Sequence, residues 1–369
     1  MSDPDVLHTP LEAEHLLLGA KMAPFAGWLM PIEYEGALAE HRAVRERVGL
    51  FDLTHLGKVD VTGPGALGML QRIVSADLSK AAVGEALYSL VLNEGGGVIE
   101  DLIVYRLASR RYFVVPNAAN AQRVLRMLEE EHAEDRLHLM FHQDWCFLAV
   151  QGPESVHVTS KLFPEAGDLA FMQCVESEYH RRPVVLTRSG YTGELGFELF
   201  TYQDVAVDLW NDLTEAMAPF AGQPCGLASR DVLRLEMGYP LYGQDLFESS
   251  TALEAGLGWA VAFDKGEFRG RDALVRQRDE GLPSRLWGLL MQDRRHIPRA
   301  HYPVFVGDQL VGEVTSGTFS PALQKGIALA YLWPNDASVE PGAAVEVDVR
   351  GRRGGAMVVR PPFVDRSPR

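Results

Sequence analysis

The sequence is poor in cysteine and has no long apolar run. Only three cysteines, Cys146, Cys174 and Cys225, occur in 369 residues. They form no C-x-x-C pair, so we expect no disulfide framework and a reducing compartment. No Lys or Arg precedes Lys21, which argues against a secretory signal or an Arg-rich transit peptide. No apolar stretch approaches the ~18 residues that a membrane span needs, so we expect a cytoplasmic protein without membrane association.

Positive charge is also scarce, with 35 Lys and Arg against 50 Asp and Glu and a formal net charge of −15. An acidic chain repels the phosphate backbone of nucleic acids, so we expect no nucleic-acid partner. The proportions of hydrophobic residues, 47%, and charged residues, 23%, are those of a soluble globular protein. The length predicts two or three domains.

Several common catalytic motifs are missing. The chain has no Gly-Lys-Ser/Thr loop, no H-E-x-x-H helix and no G-x-S-x-G elbow, so nothing indicates a P-loop enzyme, a zinc protease or an α/β-hydrolase. We expect no metal site, and we interpret His8, His55 and His301 as structural. A formal G-x-G-x-x-G spans positions 63–68. Because Pro64 removes one backbone amide there, we interpret it as a loop that opens a helix.

Helical and strand periodicities are mixed without regular alternation. Helical patterns are predicted at 10–20 (with Thr9 as the N-cap), 36–48, 117–133, 203–217 and 227–237. Strand patterns are predicted at 58–63, 86–93, 98–107, 111–116 and 145–152, with two further strands inside 184–200 around a turn at Ser189-Gly190. This irregular order favours an α+β fold with mainly antiparallel sheets.

The pattern changes after a polar segment at Arg276–Arg285, which contains the breakers Gly281 and Pro283. Beyond this segment, short strands and turns replace helical periodicity. We therefore predict a domain boundary there, followed by a small β-barrel or sandwich of about 80 residues.

A pair of carboxylates, Glu100 and Asp101, directly precedes the apolar run Leu102–Tyr105. Adjacent strand residues face opposite sides, so only one of the two faces the interior. A carboxylate at the start of a buried strand is costly unless it is paired or functional. The alternative is a solvated carboxylate that follows a glycine turn.

A second acidic segment contains Glu194, Gly196 and Glu198, which lie on one face if the chain is extended there. An inward-facing Glu with neighbouring tyrosines is suited to a flat heterocycle that carries N–H donors. The alternative is a polar outer face of a strand.

A third segment places Arg230 and Arg234 four residues apart, on one helix face. Arg230 is able to bind a carboxylate through two hydrogen bonds. The alternative is an ion pair on the surface.

Taken together, these segments resemble the aminomethyltransferase family, the T-protein of the glycine cleavage system, from about Leu7 to Phe363. The matching stretches are LHTPL, APFAGWLMPIEY, FDLTHLGKVDVTG, YSLVLNEGGGVIEDLIVYRL, YTGELGFEL, CGLASRDVLRLEMGYPLYGQDL, ALEAGLGWAVAFDKGEFRGRDAL and GEVTSGTFSPALQKGIALAY. The resemblance implies an enzyme that transfers a one-carbon unit to tetrahydrofolate as co-substrate. The partner it implies is a lipoylated H-protein, from whose aminomethyl-dihydrolipoyl arm ammonia is released as 5,10-methylenetetrahydrofolate forms.

The resemblance also implies a fold. The family has a folate-binding body of two interleaved α+β subdomains with mainly antiparallel sheets, followed by a C-terminal β-barrel. On this chain we expect the body at residues 1–280 and the barrel at residues 284–364.

Two acids carry the chemistry that the resemblance implies. The family's essential acid falls on Asp101, which would orient the reacting amine, stabilise positive charge or move a proton. Its pterin-recognising acid falls on Glu198, which would accept hydrogen bonds from the amino and ring N–H groups.

The remaining folate contacts implied by the resemblance are Tyr88, Tyr191, Arg230, Tyr239 and Leu56. The two tyrosines Tyr88 and Tyr191 match residues that flank the folate, and Arg230 matches an arginine that contacts it. Most members have Met where Leu56 stands, a nearly isosteric exchange.

Two other functions remain open at this point. One is a folate-dependent demethylase of the same fold, and the other is a non-catalytic folate-binding protein that maintains iron–sulfur enzymes. The stretch at 238–244, GYPLYGQ, lacks the cysteine of the latter. A detached domain of an amine-oxidising flavoenzyme is disfavoured because no flavin-binding fingerprint is present.

Overall fold

The computed structural model of the chain describes residues 6–131, 136–333 and 339–368. The helices α1 to α8 are Glu12–Leu17, Ala37–Glu46, Ala66–Ile73, Ala121–Glu131, Ser155–Leu162, Ala206–Met217, Leu227–Glu236 and Arg271–Glu280. The strands β1 to β10 are Leu7–His8, Lys21–Phe25, Trp28–Glu33, Gly49–Asp52, Val59–Thr62, Glu85–Leu92, Val98–Ala108, Arg111–Pro116, His138–Phe141 and Trp145–Gln151. The strands β11 to β20 are Cys174–Tyr179, Arg182–Thr187, Gly196–Tyr202, Gln223–Pro224, Arg285–Met291, Pro303–Val306, Gln309–Ser320, Lys325–Leu332, Ala344–Val349 and Arg352–Val359.

These elements form two compact units. The first comprises the described residues within 1–89, 101–231 and 367–369, and the second those within 90–100 and 232–366. None of the described helices is long and apolar enough to cross a membrane.

The strands form three open sheets and one closed barrel. The sheets have the orders β1-β3-β2, β11-β12-β13-β10-β4-β14 and β6-β7-β8-β5-β9, and the barrel has the order β15-β18-β17-β16-β19-β20. Pairing is antiparallel in most ladders, with parallel pairing between β1 and β3 and between β14 and β4. The predicted α+β class, with mainly antiparallel sheets and a C-terminal barrel, is confirmed.

The six-stranded sheet is built on strand β10, whose residues are all buried. Its apolar side chains pack with those of β13 and with the inward face of α6, which includes Leu209, Trp210 and Leu213. Burial of this apolar area is the main stabilising contribution in this region. The sheet therefore provides a rigid support for the polar residues of β13.

Strand β7 alternates between two environments. Leu102 and Val104 are buried, whereas Asp101 and Ile103 are half-buried on the opposite face. Tyr105 continues the face of Asp101 and Ile103, because side chains repeat every two residues along a strand. This face carries the polar groups described below.

The barrel is held by its own apolar interior. Side chains from all of its strands contribute, among them Leu289, Val304, Val314, Ala330 and Val347. Its strands close on themselves, which leaves no open sheet edge to pair with another chain.

Some local predictions need correction. Thr9 is not the N-cap of α1, because the helix begins at Glu12 and Leu11 occupies the capping position. The Thr9 hydroxyl accepts from the Leu11 amide at 3.3 Å and donates to buried Asp52 Oδ2 at 2.5 Å. The polar segment Arg276–Arg285 contains the end of α8, at Glu280, and the first residue of β15, Arg285. The helix predicted over 117–133 begins at Ala121 after a short 3₁₀ turn, and its positions 132 and 133 lie outside the described residues.

Candidate functional site

Asp101 is half-buried on β7 and is held at both carboxylate oxygens. The Tyr88 hydroxyl on β6 donates to Oδ2 at 3.0 Å, and Asn117 Nδ2 donates to Oδ1 at 2.9 Å. Asn117 also donates to the Asp101 carbonyl at 3.0 Å. Strand β8 brings Asn117 there, because its last residue, Pro116, pairs with Leu102. These two hydrogen bonds fix the orientation of the carboxylate.

Glu198 lies on β13 and is only 5% exposed. Ser189 Oγ donates to its Oε2 at 2.5 Å, and the Tyr105 hydroxyl donates to the same oxygen at 3.3 Å. The hydrogen bonds from described residues therefore all reach Oε2, and none of them occupies Oε1.

Ser189 is placed by a glycine-rich loop between β12 and β13. Gln151 Nε2 donates to the Ser189 carbonyl at 3.1 Å, and the Thr192 hydroxyl donates to Gln151 Oε1 at 2.7 Å. A Cβ at Gly190 or Gly196 would lie 2.1 or 2.2 Å from the Gln151 side chain. The two glycines leave the space in which Gln151 holds the loop.

The pKa of Glu198 is raised from its ordinary value, because burial disfavours the charged form. The hydrogen bond from Ser189, the positive charge of Arg230 and the hydrogen bond from Tyr105 act in the opposite direction. Glu198 is thus a desolvated carboxyl whose ionised form depends on these three neighbours.

Arg230 on α7 stands near Glu198 and over an aromatic ring. Its guanidinium carbon lies 4.7 Å from the centroid of the Tyr191 ring, within the range of a cation–π contact. Burial lowers the pKa of Arg230, and the charge of Glu198 raises it. Arg230 Nη1 is buried and has no hydrogen-bond partner among the described residues. An uncompensated N–H of a charged group is costly, and it is the kind of atom that a ligand satisfies.

Strand β7 connects the two acids. Asp101 and Tyr105 lie four residues apart on the same face, and Tyr105 donates to Glu198. Their separation along an extended strand is about 13 Å. One strand face thus carries an accessible carboxylate at one end and a contact to a buried carboxylate at the other.

The loop between β4 and β5 contains Leu56 and His55. Leu56 is half-buried, and its amide donates to the Leu53 carbonyl at 3.0 Å. Burial lowers the pKa of His55 to about 3, an effect that Arg230 strengthens and Asp52 opposes. His55 Nδ1 is buried and lacks a hydrogen-bond partner among the described residues, so the imidazole is neutral at physiological pH.

Tyr239 belongs to the second unit, whereas the other sequence-predicted site residues belong to the first. Its amide donates to the Arg234 carbonyl at 2.9 Å, and its carbonyl accepts from Arg234 Nη1 at 3.1 Å. The Arg234 guanidinium also contacts Asp245 at 2.7 Å and the Ser316 hydroxyl at 2.9 Å. The Arg234 side chain is therefore buried and paired within this unit.

Glu194 does not share a strand face with Glu198. Strand β13 begins at Gly196, so Glu194 lies in the preceding loop, where its Oε1 accepts from Arg45 Nη1 at 2.9 Å. Arg45 also donates to the Thr192 carbonyl at 2.6 Å. Arg45 could not be identified from local sequence patterns, since its partner is 149 positions away.

Tyr105 and Ser189 were also not assigned to the site from the sequence. The alternation of Asp101, Ile103 and Tyr105 along β7 was the available signal for Tyr105. Within the described ranges, no group of three or more His, Cys, Asp or Glu side chains is arranged to hold a metal ion.

Two family models cover nearly the whole chain. The GCVT N-terminal domain matches residues 11–265, and the glycine cleavage T-protein C-terminal barrel domain matches residues 285–365. The chain belongs to the aminomethyltransferase family of glycine cleavage T-proteins. The predicted resemblance is confirmed, and the chain is an enzyme of the transferase class.

Relatives in this family extend over the full length. An aminomethyltransferase from Parafrankia sp. is 49% identical over 99% of this chain and 100% of that protein. The aminomethyltransferase of Mycobacterium tuberculosis is 44% identical over 99% of both chains. The crystal structure of the glycine cleavage system aminomethyltransferase T from Bartonella henselae has a TM-score of 0.91 and 34% identity, covering 98% of this chain and 99% of that one.

Proposed function

We propose that the chain transfers the one-carbon unit of an aminomethyl-dihydrolipoyl arm, carried by H-protein, to tetrahydrofolate, with release of ammonia. The observation that carries this proposal is that Asp101 and Tyr105 lie on the same face of β7 and that Tyr105 donates a hydrogen bond to Glu198. Two carboxylates in different environments, with a buried arginine beside one of them, suit a ligand with one recognised end and one reacting end.

The polar atoms near Glu198 fit the pterin end of tetrahydrofolate. Glu198 Oε1 accepts no hydrogen bond from the described residues, and Arg230 Nη1 donates none to them. A pterin edge carries both N–H donors and a carbonyl acceptor, so it is able to satisfy both groups. Tyr88 and Tyr191 supply aromatic surface, and Leu56 supplies apolar surface, for the body of the ligand.

Asp101 is the catalytic residue in this proposal. Bound tetrahydrofolate supplies the nitrogen atoms that take up the one-carbon unit, which yields 5,10-methylenetetrahydrofolate. Tyr88 and Asn117 hold the Asp101 carboxylate in one orientation, so its negative charge is already in place when positive charge develops on the transferred carbon. The same carboxylate is able to orient an amine or accept its proton.

Tyr239 remains a proposed folate contact on the strength of the family resemblance. The division into a folate-binding body, residues 1–280, and a barrel, residues 284–364, is also part of the proposal and is supported by the two separate family models. We further infer that the enzyme acts in the cytoplasm, in keeping with its unpaired cysteines.

A basic patch on the barrel is suited to the carrier protein. Residues 284–366 contain 10 Lys and Arg against 8 Asp and Glu, whereas the whole chain contains 35 against 50. Exposed arginines lie on the segment after β15, at the β19–β20 turn and at the start of β20, namely Arg294, Arg295, Arg299, Arg350, Arg352 and Arg353. The amide of Gln292 donates to the Gly355 carbonyl at 2.9 Å, which brings the segment after β15 beside β20. We infer that this patch attracts an acidic surface of the carrier, because complementary charge accelerates encounter.

The deciding experiment supplies purified protein with aminomethylated H-protein and measures ammonia release with and without tetrahydrofolate. We expect release that saturates with tetrahydrofolate, and binding of the folate alone by calorimetry. Tetrahydrofolate-dependent demethylation of a small amine without H-protein would instead assign the demethylase function. Folate binding without any turnover would support the maintenance protein. A matched variant, Arg294→Glu with Arg295→Glu, should raise the KM for H-protein and leave folate affinity unchanged.

A further inference from the structure

We propose that Ser189 and Tyr105 are positioning residues that hold the Glu198 carboxylate by Oε2 and so direct Oε1 toward the ligand. This inference rests on the proposed function, because it assigns the ligand of Glu198 to the pterin end of the folate. It adds Ser189 and Tyr105 to that site and assigns their hydrogen bonds to one oxygen of Glu198.

The hydroxyl groups of Thr187 and Ser189 form a chain of hydrogen bonds that ends at Glu198 Oε2. Ser189 Oγ lies 2.5 Å from Glu198 Oε2 and makes a short contact with the Thr187 hydroxyl. Each hydroxyl has one proton to donate. If Ser189 donates its proton to the carboxylate, its oxygen accepts the proton of Thr187, and every proton has a partner.

Tyr105 reinforces this arrangement from a separate strand. Its hydroxyl lies 3.3 Å from Glu198 Oε2 and 3.4 Å from Ser189 Oγ. The tyrosine is almost fully buried on β7, with its ring 6.1 Å from that of Phe200 and 6.3 Å from that of Phe113. Because packing fixes the ring, the position of the hydroxyl is fixed as well.

Two donors, one from the loop between β12 and β13 and one from β7, therefore occupy one carboxylate oxygen. A carboxylate held in this way cannot rotate freely about its terminal bond, so the other oxygen keeps one direction. Recognition of a flat heteroaromatic edge depends on such a fixed acceptor, since the alignment of Oε1 with an N–H group of the ring edge is lost when the carboxylate turns.

Three neighbouring groups stabilise the ionised form of Glu198 against the effect of burial. Arg230 is the charged group that favours it, and Ser189 and Tyr105 supply the hydrogen bonds. Its partners across the sheet, Ala149 on β10 and Thr187 on β12, carry no charge. Removal of either donor should therefore raise the pKa of Glu198 further, because burial remains and its compensation decreases.

The test compares Ser189→Ala and Tyr105→Phe with matched controls in the full-length protein. Ser160→Ala and Tyr112→Phe each remove a buried hydroxyl that has no hydrogen-bond partner among the described residues. Tetrahydrofolate affinity is measured by calorimetry from acidic to neutral pH, and thermal unfolding is recorded for every variant. Glu198→Ala serves as the reference for complete loss of the acceptor, and Ser189→Thr restores the hydroxyl.

We expect Ser189→Ala to weaken tetrahydrofolate binding about tenfold and Tyr105→Phe about threefold, in line with loss of a hydrogen bond to a charged group. The pH below which binding fails should move upward in both variants. Ser189→Thr should recover most of the affinity, and the two controls should bind as the unaltered protein does.

The outcomes separate this inference from the proposed function. If Glu198→Ala weakens binding while Ser189→Ala and Tyr105→Phe leave both affinity and pH profile unchanged, the positioning role is wrong and the pterin assignment stands. If Glu198→Ala itself leaves binding unchanged, the assignment of Glu198 fails and this inference fails with it. Equal losses of affinity in variants and controls, without a change in pH profile, would also overturn the positioning role.

Discussion

The two ends of the polar face of β7 hold carboxylates in opposite ways. Asp101 is half-buried and has a neutral donor at each oxygen. Glu198 is almost fully buried, has both donors at one oxygen and stands near Arg230. The first arrangement leaves the carboxylate partly exposed, and the second holds an acceptor in buried surroundings. In the proposed function, the same functional group would therefore serve chemistry at one end and recognition at the other, because its surroundings differ.

The largest effect should follow from removing the charge at the accessible end. We expect Asp101→Asn to lower kcat by about 10²- to 10⁴-fold, the range typical of a positioned acid or base. Tetrahydrofolate affinity should change little, since the substitution preserves volume and the loss is of charge. Ammonia release and calorimetric binding check the two parts, and near-normal turnover would remove Asp101 from the mechanism.

The same comparison predicts the reverse pattern at the buried end. We expect Glu198→Ala to weaken tetrahydrofolate binding by about 10- to 100-fold, because the hydrogen bonds to a charged acceptor are lost. Saturating folate should restore much of the turnover. An unchanged dissociation constant by calorimetry contradicts the recognition role.

A smaller effect should follow from loosening Asp101. Tyr88→Phe removes the hydroxyl that donates to Asp101 Oδ2 and keeps the ring, so we expect a fall in kcat of about tenfold with a modest change in folate affinity. Tyr112→Phe provides the matched control, since that hydroxyl has no partner among the described residues. If the two variants behave alike in the ammonia assay, the hydrogen bond from Tyr88 does not position Asp101.

The smallest effect concerns the apolar wall. Leu56→Met introduces the residue that the family resemblance implies at this position and nearly conserves side-chain volume, so we expect changes in kcat and folate affinity of about twofold or less. Steady-state kinetics over a range of tetrahydrofolate concentrations measure both values. A tenfold change in either would show that side-chain shape at this position controls the site.

Local patterns were sufficient for the framework of the molecule. The alternation in 98–107 and the helical spacing in 227–237 correspond to β7 and α7, because each pattern reports burial of one face. These local patterns also predicted which strands hold Asp101 and Glu198 and which helix holds Arg230. The roles proposed for the three residues came from the family resemblance.

Contacts between distant segments were not accessible in this way. Glu194 finds its partner Arg45 on α2, 149 positions earlier, and no local periodicity reports such a pair. Ser189 had the composition of a turn, and Tyr105 stood within an apolar strand. Their function depends on β7 and β13 supplying groups to one place, which is a property of the tertiary structure.

Side chains along β7 alternate between the two faces of the sheet, so the site depends on the number of residues between Asp101 and Tyr105. A single residue inserted or deleted between Asp101 and Tyr105 would place one of them on the opposite face of the sheet. The surroundings of Asp101 and of Glu198 would each be preserved, but the two carboxylates would no longer be connected through one strand face. Lineages of this protein should therefore exchange side chains within that five-residue window but keep its length, while length variation collects in the surface turns.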